Sequence, residues 1–338
     1  MRRIGILGTG LIGASIGLGL RGLGARVTGW DPNPATLEAA ANRGAIDAAP
    51  SRGHAVAAAQ DLLVVAAPPS ATIGLVARLS HTGLVIDVAG VKGPVVAASN
   101  LPRFVGTHPM AGREVSGPEV ATAALFRGAA WVVVTDGASS DDVDAVSGVV
   151  GELGARPVVM TAAEHDAAVA AISHVPQLLA AGLIAAAAGA PRGLDLAAGS
   201  FRDLTRVAAS HPDLWVDLLT ANRGPVSAAL DAIRANIEAL QAWLSEDPAA
   251  LAGFLSEARE VRQTMTARTA SVRLALADQP GEIARVGRAL EASAVDVRDM
   301  QLMHSPHGGG GILTLFVRPG DGELLRHALE DEGLLVLE

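Results

Sequence analysis

The sequence predicts an α/β domain with a mostly parallel, doubly wound sheet, then an all-helical domain, then a small α+β unit. Three observations carry this. A glycine triplet sits between an apolar strand and a helix over residues 2–31, and an acid closes the strand that follows. Apolar strand-like runs then alternate with helical stretches as far as Met160. Strand patterning stops there and returns only as a βαββαβ pattern over residues 271–338. The expected domains are 1–160, 161–268 and 269–338.

Arg3–Leu7 is a short apolar strand. Gly8, Gly10 and Gly13 form Gly-x-Gly-x-x-Gly, with Leu11 and Ile12 between the last two, and a helix runs to about Leu23. Arg26–Trp30 is a second strand, with Asp31 at its end. Gly8 permits the tight turn, Gly10 lets backbone approach a pyrophosphate, and Gly13 lets the helix pack on the strand. The helix N-terminus then faces the phosphates. Asp31 is placed to bind ribose hydroxyls and to repel a 2′-phosphate, and no Arg or Lys follows closely. The pattern therefore predicts a Rossmann domain that takes NAD rather than NADP. A lone glycine triplet is weak evidence, but strand, triplet, helix and terminal acid together are specific.

Further strands are expected at Asp61–Ala66, Leu84–Val88, Phe104–Gly106, Trp131–Thr135 and Pro157–Met160. In such sheets ligands bind at the carboxyl ends of the strands. Two segments follow strands and should face the cofactor cleft: the Asp87–Gly93 turn, and the loop Gly106–Gly117, GTHPMAGREVSG. His108 is the residue of that loop suited to taking a proton near neutral pH. A lone histidine on a loop is more often structural; its place at a strand end favours function.

Composition narrows the class. With 338 residues, half of them hydrophobic, the chain supports two or three domains with sizeable cores. A net charge of −9, from 26 basic and 35 acidic residues, argues against nucleic acid as the main partner. Cysteine is absent, which excludes disulfides, thiolate zinc sites and a cysteine nucleophile. Tyrosine is also absent, and Lys92 is the single lysine, so positive charge is nearly all arginine, which suits carboxylate recognition. Two apolar stretches imitate membrane segments. The first, over residues 1–20, carries six glycines between Ile4 and Leu20, which weaken an apolar helix. The second, Ala167–Ala190, is rich in Ala and Gly and interrupted by Ser173, His174, Pro176 and Gln177. Both read as buried soluble elements, and the protein is expected to be soluble and cytoplasmic.

From Thr161 to Thr266 the pattern is helical, and apolar faces such as that of Val226–Leu244 suit core or dimer packing. Two segments stand apart. Ser173–Gln177, SHVPQ, puts polar groups into an apolar helix that Pro176 should kink, with Ser173 and Gln177 on one face. Gly199–Trp215 holds Arg202, Asp203, Arg206 and Trp215. A solvated face, or an Asp203–Arg206 pair, is the plain alternative for those charges.

In order along about four-fifths of the chain, GxGLIGxSIGL, DVAGVKG, GTHPMAGREVSG, SHVPQ and FRDLTRVAASHPDLW resemble the motifs of the prephenate/arogenate dehydrogenase family of tyrosine biosynthesis. The resemblance implies a Rossmann domain, an all-helical dimerisation domain, a homodimer, and NAD(P)-dependent oxidative decarboxylation of a cyclohexadienol acid without a metal. It implies His108 as general base. Arg206 would grip a substrate carboxylate, and Ser173, Gly199 and Trp215 would line the substrate pocket. Arg202 stands where a basic residue is lent by the partner subunit, and Glu114 where a gating or ion-pairing glutamate sits. Two positions depart from the pattern. Gly90 replaces a serine that hydrogen-bonds the reacting hydroxyl near the nicotinamide. Gln177 replaces a histidine facing the substrate side chain, which leaves prephenate and arogenate both open, along with 4-amino-4-deoxyprephenate.

Over residues 271–338 the βαββαβ pattern, with Asp278, Gln279, Pro280 and Gly281 at the first strand–helix junction, looks like a ferredoxin-like ACT domain that senses an amino acid. Tyrosine is the expected effector; a plain dimerisation module is the alternative. His304 and His307 belong to a glycine-rich hairpin rather than to a metal site. Two other readings compete. A β-hydroxyacid dehydrogenase needs a lysine in its helical domain, and none follows Lys92. A non-catalytic NAD sensor would account for Gly90 and Gln177.

Overall fold

The computed structural model describes residues 2–48, 61–112, 117–265, 270–304 and 310–337. Glu114 and His307 lie outside the described residues. The chain divides into two compact units, Met1–Arg234 and Ala235–Glu338.

The first unit opens with β1 (Arg3–Leu7), α1 (Leu11–Gly22), β2 (Arg26–Trp30), α2 (Pro34–Asn42) and β3 (Asp47–Ala48). It continues through β4 (Leu62–Val65), α3 (Pro69–Val76), β5 (Leu84–Asp87), α4 (Gly93–Ala98) and β6 (Phe104–Val105). These strands form one sheet in the order β3-β2-β1-β4-β5-β6, with every pairing parallel. Alternate side chains serve opposite faces. Ile4, Ile6, Leu62, Val64, Leu84 and Ile86 enter the core shared with α1. Leu7, Leu63, Val65 and Val85 enter the core shared with Val76 of α3 and Val95 of α4. A parallel sheet covered on both faces needs unbroken apolar strands rather than alternating ones, as LLVV and LVID show.

The Gly106–Gly117 segment is not all loop. Thr107–Pro109 forms β7, antiparallel to β8 (Ala130–Val134), which runs parallel to β9 (Arg156–Met160) after α5 (Ser140–Glu152). His108 pairs with Val132, so the backbone ladder rather than a flexible turn sets its position.

A capping box at Thr161 and Glu164 starts α6 (Ala162–Val169), as a Thr-x-x-Glu signature before an apolar run does. The interruption expected near Pro176 takes the form of a π-helical turn, Ala170–His174, before α7 (Val175–Gly189). Proline lacks the N–H that would bond four residues back, and a wider turn absorbs the misfit. The run Ala162–Gly189 is long and apolar enough to cross a membrane; an 18-residue window within it has mean hydropathy 1.7 and is 33% buried. Its first turns are hydrogen-bonded to the Rossmann half, so it is part of this fold. Then come α8 (Gly199–Thr205), a 3-10 turn (Arg206–Ala209), α9 (Pro212–Ala221) and α10 (Arg223–Glu246). The division between units falls inside α10, so the helices before it belong to the same unit as the Rossmann strands.

The second unit carries α11 (Pro248–Met265), β10 (Ala270–Leu276), α12 (Glu282–Ser293), β11 (Asp299–His304), β12 (Gly311–Val317), α13 (Gly322–Asp331) and β13 (Leu335–Leu337). Its four strands form an antiparallel sheet in the order β11-β12-β10-β13. Val272, Leu274, Leu313 and Leu315 pack against Val286 of α12 and Leu325 of α13. Gly281, at φ +100°, precedes α12, and Asp278 and Pro280 are exposed beside it.

Candidate active site

The glycine turn meets the needs of a dinucleotide. Gly8 has φ +93°, and a Cβ there would lie 2.1 Å from the Ala66 carbonyl oxygen. A Cβ on Gly13 would lie 2.0 Å from the Gly8 carbonyl oxygen. Around Gly10 a Cβ would meet nothing within 4 Å. The turn is thus tight where strand and helix touch and open at the start of α1, where Gly10 supplies no side-chain cap and Leu11 and Ile12 pack on the core. Backbone donors there remain for an anion. Asp31 accepts the Thr9 N–H at 2.8 Å and the Asn33 N–H at 2.9 Å. Two backbone donors fix the carboxylate and leave acceptor capacity for a ribose diol.

Across the sheet, a buried pair builds the floor under His108. Asp87, at the end of β5, accepts the Lys92 ammonium and the Ala89 N–H. Lys92 Nζ also donates to the Thr107 carbonyl at 2.6 Å, and the Thr107 N–H donates to Asp87 Oδ1 at 3.1 Å. The residue before His108 is therefore clamped on both sides. Burial pushes Asp87 up and Lys92 down from their ordinary values; the ion pair opposes both shifts.

The helical half completes the site. His108 Nδ1 lies 2.9 Å from His165 Nε2, and His165 Nδ1 lies 2.8 Å from Asp166 Oδ1. Asp166 also accepts the N–H groups of Lys92 and Gly93, each at 2.7 Å. Burial would raise Asp166, but bonds from His165, Lys92 and Gly93 outweigh it and hold the carboxyl below its usual value. Asn222 donates to the Asp166 carbonyl at 2.9 Å and lies 3.1 Å from His174 Nδ1. Burial lowers His174, and Asp166 partly offsets this. Burial first, then the neighbouring His165, Lys92 and His174, pushes His108 well below the ordinary histidine value. The imidazole thus keeps its lone pair at neutral pH.

Of the other residues singled out from the sequence, Gly90 and Trp215 adjoin this centre. A Cβ on Gly90 would lie 3.7 Å from His108 Nε2 and 2.7 Å from Leu218 Cδ2 on α9. Leu218 thus fills space that a side chain at position 90 would need. Trp215 packs edge-on to His174, ring centroids 6.1 Å apart. Gln177 is buried, and its Oε1 has no hydrogen-bond partner among the described residues. Ser173 is partly buried in the π turn. Gly199 and Arg202 lie exposed on α8, and Arg206 is exposed at the head of the 3-10 turn, which packs on α7. Sequence reading missed His165, Asp166, Asp87, His174 and Asn222, and gave Lys92 no role. The Thr161–Glu164 capping signature after the last strand was the available signal, since it puts His165 and Asp166 on the first turns beyond a strand end.

Family models for the prephenate dehydrogenase nucleotide-binding domain and dimerization domain match residues 16–159 and 161–257. The probable prephenate dehydrogenase NovF of Streptomyces niveus is 31% identical over 97% of this chain and 98% of its own length. The chain belongs to the prephenate dehydrogenase family. It is an NAD-dependent oxidoreductase, as the family's nucleotide-binding domain and the glycine cradle together require. Prephenate dehydrogenase of Bacillus subtilis is 29% identical over 94% of this chain and 92% of its own length. Among solved structures, prephenate dehydrogenase from A. aeolicus, in complex with hydroxyphenyl propionate and NAD+, matches at TM-score 0.71 and 26% identity, over 78% of this chain and 98% of that one. Synechocystis arogenate dehydrogenase matches at TM-score 0.68 and 30% identity, over 78% of this chain and all of that one. The family domains end at residue 257, but the Streptomyces relative's 97% coverage extends into the antiparallel sheet of the second unit.

Proposed function

We propose that the protein oxidises prephenate with NAD, giving 4-hydroxyphenylpyruvate, carbon dioxide and NADH, as a prephenate dehydrogenase of tyrosine biosynthesis. The observation that carries this reading is a histidine kept neutral by burial, held in β7 just beyond the end of β6, with its Nε2 3.7 Å from where a side chain on Gly90 would begin. Bound NAD supplies the hydride acceptor. His108 Nε2 takes the ring hydroxyl proton as hydride leaves the carbinol carbon. Loss of carbon dioxide then restores aromaticity, and the proton returns to the phenolate oxygen. The Gly8, Gly10 and Gly13 turn holds the pyrophosphate and Asp31 the ribose. Arg206 binds a substrate carboxylate through its guanidinium fork. Ser173, Gly199 and Trp215 line the pocket, Arg202 reaches the partner subunit's pocket, and Glu114 acts as a gating or ion-pairing glutamate. At Gly90 no hydroxyl is present, so a backbone N–H or a water takes that part.

Arogenate is the second reading, and Gln177 favours it. An unpartnered buried amide oxygen accepts from the ammonium of arogenate, whereas the keto acid of prephenate needs a donor. Incubating the protein with prephenate, arogenate or 4-amino-4-deoxyprephenate, each with NAD or NADP, decides the matter through NADH or NADPH formation. A rate with NAD and one of the first two substrates is expected. No turnover with any of them leaves a non-catalytic sensor. The same reading includes a cytoplasmic homodimer through the helical domain, with boundaries near residues 160 and 268. It also includes an ACT domain over 269–338 that binds tyrosine near Asp278, Pro280 and Gly281; the Gly281 turn ahead of α12 supports it.

A further inference from the structure

We propose that His165 is a positioning residue that fixes the tautomer of His108, holding Nδ1 as a donor and leaving the lone pair on Nε2, the nitrogen toward Gly90. The consequence for catalysis rests on the proposed function; the tautomer assignment does not.

The assignment follows from which groups can donate. An ionised carboxylate only accepts. Asp166 is anchored by two backbone N–H groups from the nucleotide-binding half, and its Oδ1 lies 2.8 Å from His165 Nδ1. That nitrogen must therefore carry the proton. In neutral His165 the lone pair then sits on Nε2, and 2.9 Å away lies His108 Nδ1. The reverse tautomer of His108 would set two lone pairs against each other at that distance, so Nδ1 donates. A neutral imidazole has one N–H, and Nε2 of His108 is left bare. A substituent on Gly90 would approach that nitrogen to 3.7 Å, which places the lone pair on the side of the turn that follows β5.

One competing pattern exists. If His165 carried protons on both nitrogens, it would donate to His108 Nδ1 and force the proton onto His108 Nε2, so no base would face the cleft. The charged and titratable groups around the pair are Lys92 and Asp87 from the β5 turn, Asp166 beside His165 on α6, and His174 from the π turn. A buried carboxylate that selects the tautomer of a catalytic imidazole through direct contact is known chemistry. Here a second imidazole stands between the carboxylate and the base, and a helix of the other half supplies both.

The test uses the full-length protein with 15N-labelled histidine at neutral pH, without substrate. The expected spectrum shows His108 as the Nδ1–H tautomer; an Nε2–H form in the wild type overturns the proposal. Two variants extend it, each checked for native melting. His165→Phe keeps bulk and removes the acceptor, so mixed tautomers and a fall in kcat of about 10- to 100-fold are expected, the worth of one hydrogen bond to a charged group. KM and NAD affinity should not move. His165→Gln restores an acceptor oxygen and should recover the tautomer and most of kcat. Equal damage in both variants, or unchanged kcat in His165→Phe, sinks the positioning role. If wild type shows the Nδ1–H form but turns over no cyclohexadienol substrate, the tautomer stands and the reaction assignment falls.

Discussion

Burial, with His165, Lys92 and His174 beside it, holds His108 well below 6.5, and this sets the pH at which its lone pair is lost. The profile of kcat/KM reports ionisations of the free enzyme, so its acid limb should lie below the ordinary histidine value. A limb centred at 6.5 or higher would contradict the burial. Stability follows the same sign. Below about pH 6.5 the unfolded chain takes up the proton and the native site does not, so stability declines as pH falls through that window. His108→Asn should cut turnover by about 10²- to 10⁴-fold, the usual share of a general base, with NAD affinity unchanged by titration. Arg206→Gln should raise KM more than it lowers kcat; an unchanged KM moves the carboxylate clamp elsewhere. Position 90 carries its own test. Gly90→Ser meets Leu218 Cδ2, so it should lower activity alone and recover when combined with Leu218→Ala. At this scale His108 stood out because a histidine followed a strand end. His165 and Asp166 were hidden among the alanines of an apolar helix.

Two elements meet through a few buried polar bonds, and those bonds decide how firmly the site is built. Asp87 and Lys92 are both wholly buried. Lys92→Met leaves the Asp87 carboxylate without its cation, and breaking such a pair costs about 3–5 kcal/mol. Thermal or urea unfolding should show a loss of that order, with Asp87→Asn/Lys92→Met restoring part of it. A single variant that melts like the wild type would mean that Asp87 is protonated in the fold. Strands buried on both faces were readable as apolar runs, and their ends were placed within a residue or two. β7 was not, because three residues ending in proline have no periodicity and become a strand only by pairing with β8. The π turn was foreseen only as a kink, since proline dictates a defect but not its form.

At the scale of the molecule, exposed apolar side chains on the helices, among them Leu204, Val216, Leu230 and Ile237, are what a subunit contact would cover. Sedimentation should find a dimer at micromolar concentration. Millimolar tyrosine should slow the full-length enzyme, and Asp278→Ala should relieve it; equal rates with and without tyrosine refute regulation through the second unit. From its sequence the chain could be read as a dinucleotide fold with Asp31 selecting NAD, a helical partner domain and a βαββαβ tail. Those features are local: a glycine that must turn, an acid at a strand end, a period of two or of 3.6. The carboxylate–imidazole–imidazole array was settled by folding alone. Its members come from β7 and α6, 57 residues apart, and no local preference encodes a hydrogen bond between segments that meet only when two halves pack.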